Sequence, residues 1–442
     1  MRYAVWQMRL VFITNLYPPY VIGGNEMLCE EVVAALRRRR HEVSVICGHG
    51  TRLAADRVHG ALEIDLDRKE DTFLGGRLPS PWEAFKLHLF SPASYGATRG
   101  LLKRLAPDLV VVWNLYMASM SPLIAARRHG RPVMVHVFDK WLYYSLMDLE
   151  ALLRPVVPWK RLALRCAKQT IQPLVRRLAR PARVIAASRF MRDFYVRAGF
   201  DASAFEVELL GIPTSEFAVA ARTRRVAGAP LRLLFVGALW EGKGPLTAVR
   251  ALARLRGLAV NATLSIYGDG VPHFVEALRR LISEEGLSLH VTVNGRVSRG
   301  DVSALCQSHD VLVFPSEWDE PFAAVPLEAM SCGMAVVATT AGGTPEAIDD
   351  GETGLLVPPR DPGALAAALR RLADDDGLRL RLGQRAAQVA RQRFEFDGYV
   401  DRLAARYEAL AASRPLSGAR GAGGRAPARP RPSPAGRLSP PA

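Results

Sequence analysis

The sequence predicts a doubly wound α/β protein built as two tandem domains, and three observations carry that expectation. Short β-branched apolar runs alternate with longer helical stretches over most of the 442 residues. The runs are apolar at consecutive positions, as strands covered on both faces of a parallel sheet require. The alternation stops after Gly211-Ile212-Pro213 and restarts at Leu231, so the whole pattern occurs twice.

In the first half the strand-like runs are Leu10–Thr14, Val43–Cys47, Leu109–Trp113, Val133–Val137 and Val184–Ala187. Helical patterns lie between them at Glu26–Arg39, Trp82–Leu105 and Ser119–His129. Residues 214–230 are mixed and polar and end in Gly-Ala-Pro, which suits a linker. The second half has strand-like runs at Leu231–Val236, Ala262–Tyr267, Leu289–Val293, Val311–Pro315, Ala335–Ala338 and Leu355–Val357. Its helical stretches are Pro245–Leu255, Pro272–Glu285, Asp301–Ser308 and Gly363–Ala373, closed by Arg379–Phe394 and Asp397–Ala411. The expected division is a first Rossmann-like domain at 1–212, a linker at 213–230, a second domain at 231–396 and a closing helix at 397–412. Residues 413–442, rich in Arg, Pro, Gly and Ala, cannot bury a core and predict disorder. Met8 opens the first strand-like run, so residues 1–7 read as an overhang.

Hydrophobic residues make up 49% of the chain, enough for a core in each half. The formal net charge is +16, which favours anionic partners such as phosphates. Six Arg and no acid in Ser413–Ala442 account for part of it. The five cysteines, Cys29, Cys47, Cys166, Cys306 and Cys332, form no C-x-x-C pair and read as reduced thiols. The apolar window Leu109–Ala126 is interrupted by Asn114 and Pro122, so it reads as a strand and a helix rather than a membrane span. The expected compartment is the cytoplasm. Trp141–Arg183 breaks the alternation: it is helical, carries Trp141, Tyr143, Tyr144 and Trp159, and holds a run of Lys and Arg from Lys160 to Arg183. It reads either as a basic face for an anionic acceptor or peripheral membrane contact, or as a solvated helix face. Scattered basic residues argue against nucleic acid as a partner.

The densest chemistry is Ser316-Glu317-Trp318-Asp319-Glu320-Pro321-Phe322-Ala323-Ala324-Val325-Pro326-Leu327-Glu328-Ala329-Met330. Glu320 falls in the loop after an apolar strand. Pro326 suits the first turn of the following helix, and Glu328 is expected in that same turn. Backbone N–H groups at Phe322–Val325 would face the same crevice, where a helix start attracts an anion. Glu328 is also explained by simple compensation of the helix dipole.

This stretch, from Pro315 through Gly333, resembles the E-x7-E signature of the retaining family 4 glycosyltransferases, written there roughly as P-S-x-x-E-P-F-G-x-x-x-L-E-A-M-A-x-G, with one more residue here between Ser316 and Glu320. Pro18–Glu26 resembles the family's first glycine loop, and Phe235–Gly244 its F-V-G-R-L-x-x-x-K-G strand and turn. Tyr267–Gly270, Gly342–Glu346 and Gly354–Pro358 resemble later motifs. The resemblance implies a GT-B architecture, two Rossmann-like domains facing across a cleft. It implies a nucleotide-diphosphate sugar as donor, no cofactor, no metal, and a glycan, lipid-linked glycan or small molecule as acceptor. By the family pattern Glu320 contacts donor-sugar hydroxyls and Glu328 holds the ribose. The amides of Phe322, Ala323, Ala324 and Val325 line the sugar and phosphate, and Lys243 neutralises the departing diphosphate. Gly23 and Gly24 let the backbone approach that diphosphate, while Arg296 and Val297 match the segment near the base. No strand-end D-x-D pair is present, in keeping with metal-free chemistry, and Asp374-Asp375-Asp376 reads as a solvated turn.

Two departures stand out. Ala238 replaces the Arg usual after the F-V-G glycine, and the family's His-Asp pair falls on Phe138 and Asp139. His136 lies two residues earlier, on the same strand face as Phe138, and reads either as a cleft residue or as a core histidine. Asp139, at the strand's carboxyl end, is the stronger catalytic candidate. Besides an active transferase, a sugar-nucleotide epimerase and a weakened nucleotide-sugar-binding scaffold remain open at this stage.

Overall fold

A computed structural model describes residues 7–21, 23–48, 57–64, 89–147, 169, 172–217, 219 and 222–413. It contains two sheets in which every strand pair is parallel. The first comprises β1 (Arg9–Thr14), β2 (Glu42–Gly48), β3 (Val58–Leu62), β4 (Leu109–Asn114), β5 (Val133–Val137), β6 (Val184–Ala186) and β7 (Phe205–Val207), in the order β3-β2-β1-β4-β5-β6-β7. The second comprises β8 (Leu231–Val236), β9 (Ala262–Tyr267), β10 (Val291–Asn294), β11 (Val311–Phe314), β12 (Ala335–Thr339) and β13 (Leu355–Val357), in the order β10-β9-β8-β11-β12-β13. In each sheet the order reverses beside the first strand, between β1 and β4 and between β8 and β11. The crevice outside the carboxyl ends at such a reversal is where open α/β sheets bind ligands.

Helices cover both faces of the first sheet. They are α1 (Gly24–Arg38), α2 (Pro92–Leu105), α3 (Ser121–Arg128), α4 (Trp141–Leu146) and α5 (Arg189–Arg197). Around the second sheet lie α6 (Pro245–Gly257), α7 (Pro272–Glu284), α8 (Arg299–Ser308), α9 (Ala324–Ser331), α10 (Pro362–Asp374) and α11 (Asp376–Arg393), whereas α12 (Phe396–Ala412) returns to pack on the first sheet. Strand alternation sorts the first core. Val11 and Ile13 pack with Val110, Val112, Leu102 and Leu123 on one face. Leu10 and Phe12 pack with Val111, Trp113, Val32 and Leu36 on the other.

Two edge strands, β3 and β7, were not anticipated. Val58–Leu62 is mostly half-exposed and carries His59 and Gly60, so the apolar signal of a covered strand is missing. Within the expected helix Trp82–Leu105, α2 begins only at Pro92, where Ser91 caps it, and 89–91 are not helical. Residues 82–88 of that stretch lie outside the described residues, as do Ile22, Cys166, 414–442 of the tail and, within the basic segment, 148–168 and 170–171. The remaining cysteines are free and buried. Among the described residues no helix is long and apolar enough to cross a membrane.

The last helix, α12, completes the first domain. Tyr399, Leu403 and Tyr407 are fully buried against Phe12 and Trp113, each worth roughly 2 kcal/mol of apolar burial. The chain crosses where Gly211 meets Tyr399; a Cβ there would stand 2.4 Å from the Tyr399 Cβ. Charge pairs then fix the helix: Arg402 Nε bonds Glu208 at 2.7 Å, and Arg39 bonds Asp397 and Asp401 at 3.0 and 2.7 Å.

His136 belongs to this seam. It is fully buried on β5, its ring stacks 4.6 Å from Trp113, and its Nε2 is hydrogen-bonded to the Tyr407 hydroxyl at 2.8 Å. The reading of His136 as a cleft residue gives way to the core reading. Burial disfavours the imidazolium and lowers its pKa to about 3. A lowered pKa contributes stability above the unfolded value of 6.5 that is lost progressively as pH falls toward 3. Urea unfolding at pH 7 and pH 5 therefore shows wild type losing about 2 kcal/mol more than His136→Gln, at about 1.4 kcal/mol per pH unit. Equal losses in the two proteins would refute a buried neutral imidazole.

Candidate active site

The carboxyl ends of β8 and β11 run into two loops that lock together. Gly244 has φ +70°, and an added Cβ would lie 2.0 Å from the Pro315 carbonyl oxygen, so only glycine permits the approach. The Gly242 carbonyl accepts the amides of Glu317 and Trp318 at 2.8 and 3.2 Å. This crossing delivers Lys243, from one loop, onto Glu320, from the other. Their side chains form an ion pair in which the Glu320 side chain is 3% exposed and the lysine 21%. The Ser316 hydroxyl lies 3.0 Å from Glu320 Oε1, and the Lys243 ammonium sits 5.3 and 5.8 Å from the Trp318 and Phe314 rings.

Neighbouring acids have other work. Glu317 accepts from Thr247 at 2.6 Å and pairs with Arg360 at 3.2 Å. In the triple-acid run, Asp375 caps α11 through the Leu378 amide, and Asp376 binds Arg225 and Arg379 at 3.0 Å each. That run is therefore a helix start and ion-pair node rather than a simple solvated turn.

Helix α9 begins at Ala324, two residues before Pro326. Glu328 thus stands in the second turn, not the first, and is 5% exposed. Among the described residues the amides of Phe322, Ala323, Ala324 and Val325 show no backbone acceptor, as expected where a helix opens without a side-chain cap. Phe322 and Ala324 pack against the apolar cores of both domains, so this segment lies at their junction.

The segments resembling the F-V-G and G-x-G motifs also meet. The Leu239 amide donates to the Asp269 carbonyl at 2.7 Å, and a Cβ on Gly268 would strike the Gly237 carbonyl oxygen at 1.8 Å. Gly268 donates in turn to the Gly295 carbonyl at 3.1 Å, which brings exposed Arg296 and half-buried Val297 to the same edge of the sheet. Ala238 is exposed there.

On the first domain, Gly23 caps α1 in extended conformation, and neither Gly23 nor Gly24 has anything within 4 Å of an added Cβ. The Gly23 amide donates to Glu26 at 3.0 Å. Asp139 follows β5, accepts the Trp141 amide at 2.7 Å and is partly exposed as a residue. Its carboxyl is nonetheless shielded from water, which raises its pKa to about 6; nearby Glu26 adds to the rise, and hydrogen bonds from Trp141 and Asn114 oppose it. Lys140 reaches across the domains to Asp319 at 2.7 Å, so the chain neighbours of Asp139 and Glu320 are bonded to each other. Sequence reasoning passed over Lys140, Ser316 and Trp318, which the two loops bring to the site. Among the described residues no cluster of three or more His, Cys, Asp or Glu could hold a metal ion.

Comparison with known proteins places these features in context. A model described as "Glycosyl transferases group 1" matches residues 222–389, and one described as "Glycosyltransferase Family 4" matches residues 22–216. Glycogen synthase of Mycobacterium tuberculosis is 28% identical over 407 residues, covering 88% of this chain and 91% of that protein. D-inositol 3-phosphate glycosyltransferase of Corynebacterium efficiens is 37% identical over 177 residues, covering 38% and 42%. Sucrose-phosphate synthase from Thermosynechococcus elongatus superposes with a TM-score of 0.70 at 20% identity, covering 91% of this chain and 99% of that one. Anabaena HepE in complex with UDP-glucose gives a TM-score of 0.65 at 20% identity, covering 91% and 100%. At these identities the structural likeness is one of fold, the two-domain GT-B arrangement.

The ion pair has a testable energetic signature. Lys243→Met leaves the buried Glu320 carboxylate without its cation, and lowers stability by about 3 kcal/mol. Adding Glu320→Gln, which no longer needs a cation, recovers at least about 1 kcal/mol of that loss in urea titrations. Strict additivity of the two single changes would exclude the pair.

Proposed function

We propose a specific reaction for this chain, which belongs to the group 1, family 4 glycosyltransferases: metal-independent transfer of a sugar from a nucleotide-diphosphate donor, with retention at the anomeric carbon. The observation that carries the reading is the Lys243–Glu320 pair beside the opening of α9. In the reaction the bond from the anomeric carbon to the diphosphate oxygen breaks, leaving positive charge on the sugar and negative charge on the diphosphate. An acceptor hydroxyl oxygen forms the new bond and gives up its proton. A carboxylate near the sugar and a cation near the phosphate stabilise the two charges where they develop. The ammonium has three N–H donors, so Lys243 can keep Glu320 and also meet a phosphate oxygen. The α9 amides supply further anion contacts, and Gly23 and Gly24, with open space where a Cβ would stand, let the first-domain backbone approach the diphosphate. Glu328 and Arg296 with Val297 serve the nucleoside end.

Asp139 is the acceptor-side group. A carboxyl titrating near pH 6 is mostly ionised at neutral pH and suited to take the acceptor's hydroxyl proton. His136, sealed in the core, plays no direct part. Retention rests on the resemblance of the Glu320–Glu328 spacing to the retaining enzymes. Among described residues Arg176, Arg177 and Arg180 are exposed on the first domain, which favours an acceptor carrying negative charge. The HepE structure holds UDP-glucose, and a uridine donor is the first to try here.

The test is a thermal-shift screen against UDP-, GDP-, ADP- and dTDP-sugars, followed by NMR of the product's anomeric configuration with the donor selected. One donor raises the unfolding midpoint and is transferred with retention; stabilisation by none, or inversion in the product, sinks the proposal. In Glu328→Ala, calorimetry shows that donor's affinity reduced at least about tenfold, roughly 1.4 kcal/mol, with the fold intact. Unchanged affinity removes Glu328 from the donor site.

Turnover in excess EDTA equals turnover without it. A loss that added Mg2+ or Mn2+ restores would show that a metal, not Lys243 and the amides, neutralises the leaving group.

A further inference from the structure

The loop that carries Glu320 is held from both sides by the opposite domain. On one side Asp319 pairs with Lys140 at 2.7 Å. On the other, the Pro321 carbonyl accepts the Ser188 hydroxyl at 2.6 Å. Ser188 is also the N-cap of α5, accepting the Met191 amide at 3.1 Å. The first two amides of α5, from Arg189 and Phe190, donate to the two oxygens of one carboxylate at 2.8 Å each. That carboxylate belongs to Glu346 of the second domain. The opening turn of a first-domain helix is thus satisfied in part by a side chain of the second.

The turn that ends in Glu346 is itself locked to Glu320. The Gly343 amide donates to the Glu320 carbonyl at 2.7 Å. A Cβ on Gly342 would lie 2.1 Å from that carbonyl oxygen, and one on Gly343 would lie 2.4 Å from the Pro321 carbonyl oxygen and 3.0 Å from Ser188. There is no slack between the turn, the Glu320 loop and the start of α5. Parting the domains would leave the Glu346 carboxylate, two helix amides and the Pro321 carbonyl without these partners, and would release Asp319. Of these, Asp319 and the Pro321 carbonyl adjoin Glu320, and the Glu346 carboxylate ends the turn bonded to it.

We propose that Glu346, with Ser188, is an interdomain clasp that positions Glu320 for transfer only when the two domains are together. Glu346 is a positioning residue: it acts through the Gly342–Gly343 turn on the Glu320 loop and touches no reacting atom. A carboxylate on the first amides of a helix suits this role, because both hydrogen bonds are charge-assisted and the helix dipole favours the anion. The effect on turnover rests on the glycosyl-transfer reading, whereas the effect on domain separation does not.

Glu346→Gln is the variant of choice. Its amide accepts one helix N–H and turns an NH2 group on the other. Ser188→Ala removes the second contact independently. X-ray scattering of the ligand-free proteins shows a larger radius of gyration for both variants than for wild type. With the nucleotide sugar selected above, kcat falls about tenfold in Glu346→Gln, while the donor dissociation constant stays within about threefold and the unfolding midpoint is preserved. Glu346→Asp, which keeps both acceptor oxygens on a shorter stem, recovers part of kcat. Unchanged scattering in both variants overturns the clasp. So does a fall in kcat matched by an equal loss of donor affinity or by melting, since that is a general structural defect. If wild type transfers no sugar, the reaction reading fails and scattering alone decides the clasp.

Discussion

A carboxylate buried at the ends of two strands is the constraint around which the second domain is arranged. Glu320 is 3% exposed, and an uncompensated charge at that depth costs several kcal/mol. Everything nearby answers to it. The Lys243 ammonium neutralises it, the Ser316 hydroxyl bonds it, and the Gly242–Gly244 backbone comes close enough to Pro315 for the lysine to arrive. A group held so firmly keeps its position when charge appears on a substrate, which is how preorganised sites lower barriers without reorganising at the moment of reaction. In the proposed reaction the same compensation also bears on the donor. A ligand that draws Lys243 toward itself must leave Glu320 another partner, and the hydroxyls of a sugar are suitable donors.

The first domain contributes a different quality. Asp139 is held there by the Trp141 amide and the Asn114 side chain, with Glu26 close by. What holds the half-site in place is aromatic packing below it. Trp113, His136 and Phe138 form a stack under the carboxyl end of β5, and Tyr407 closes it from the far end of the chain. The histidine is kept neutral by burial, so the stack carries no charge that could compete with the cleft.

Most of the framework was legible because covered parallel strands are uniformly apolar and helices keep their period. The central strands and the helices after them fall within a few residues of their expected bounds. The misses share a physical cause. β3 and β7 are edge strands with one partner, so their half-exposed residues lack the apolar signal. Helix α9 opens on Ala324, two residues before Pro326, at a segment packed into the domain junction, which puts Glu328 in the second turn. The pairing of Lys243 with Glu320 could not be read from two motifs so far apart in sequence. The glycines hinted at it, since each marks a place where backbones touch. His136 was ambiguous because strand periodicity gives a face but not whether that face is covered, and the covering residue, Tyr407, lies 271 residues further along the chain.

That last arrangement bears on how the protein is made. Tyr399, Leu403 and Tyr407 fill the core of the first sheet, yet they follow the whole second domain along the chain. During synthesis the first domain therefore leaves the ribosome with one apolar face covered only in part, by α1, until α12 emerges. Glu206 and Glu208 wait equally long for Arg402 and Arg406. The nascent first domain is therefore an incomplete body whose packing waits on a helix encoded after the whole second domain.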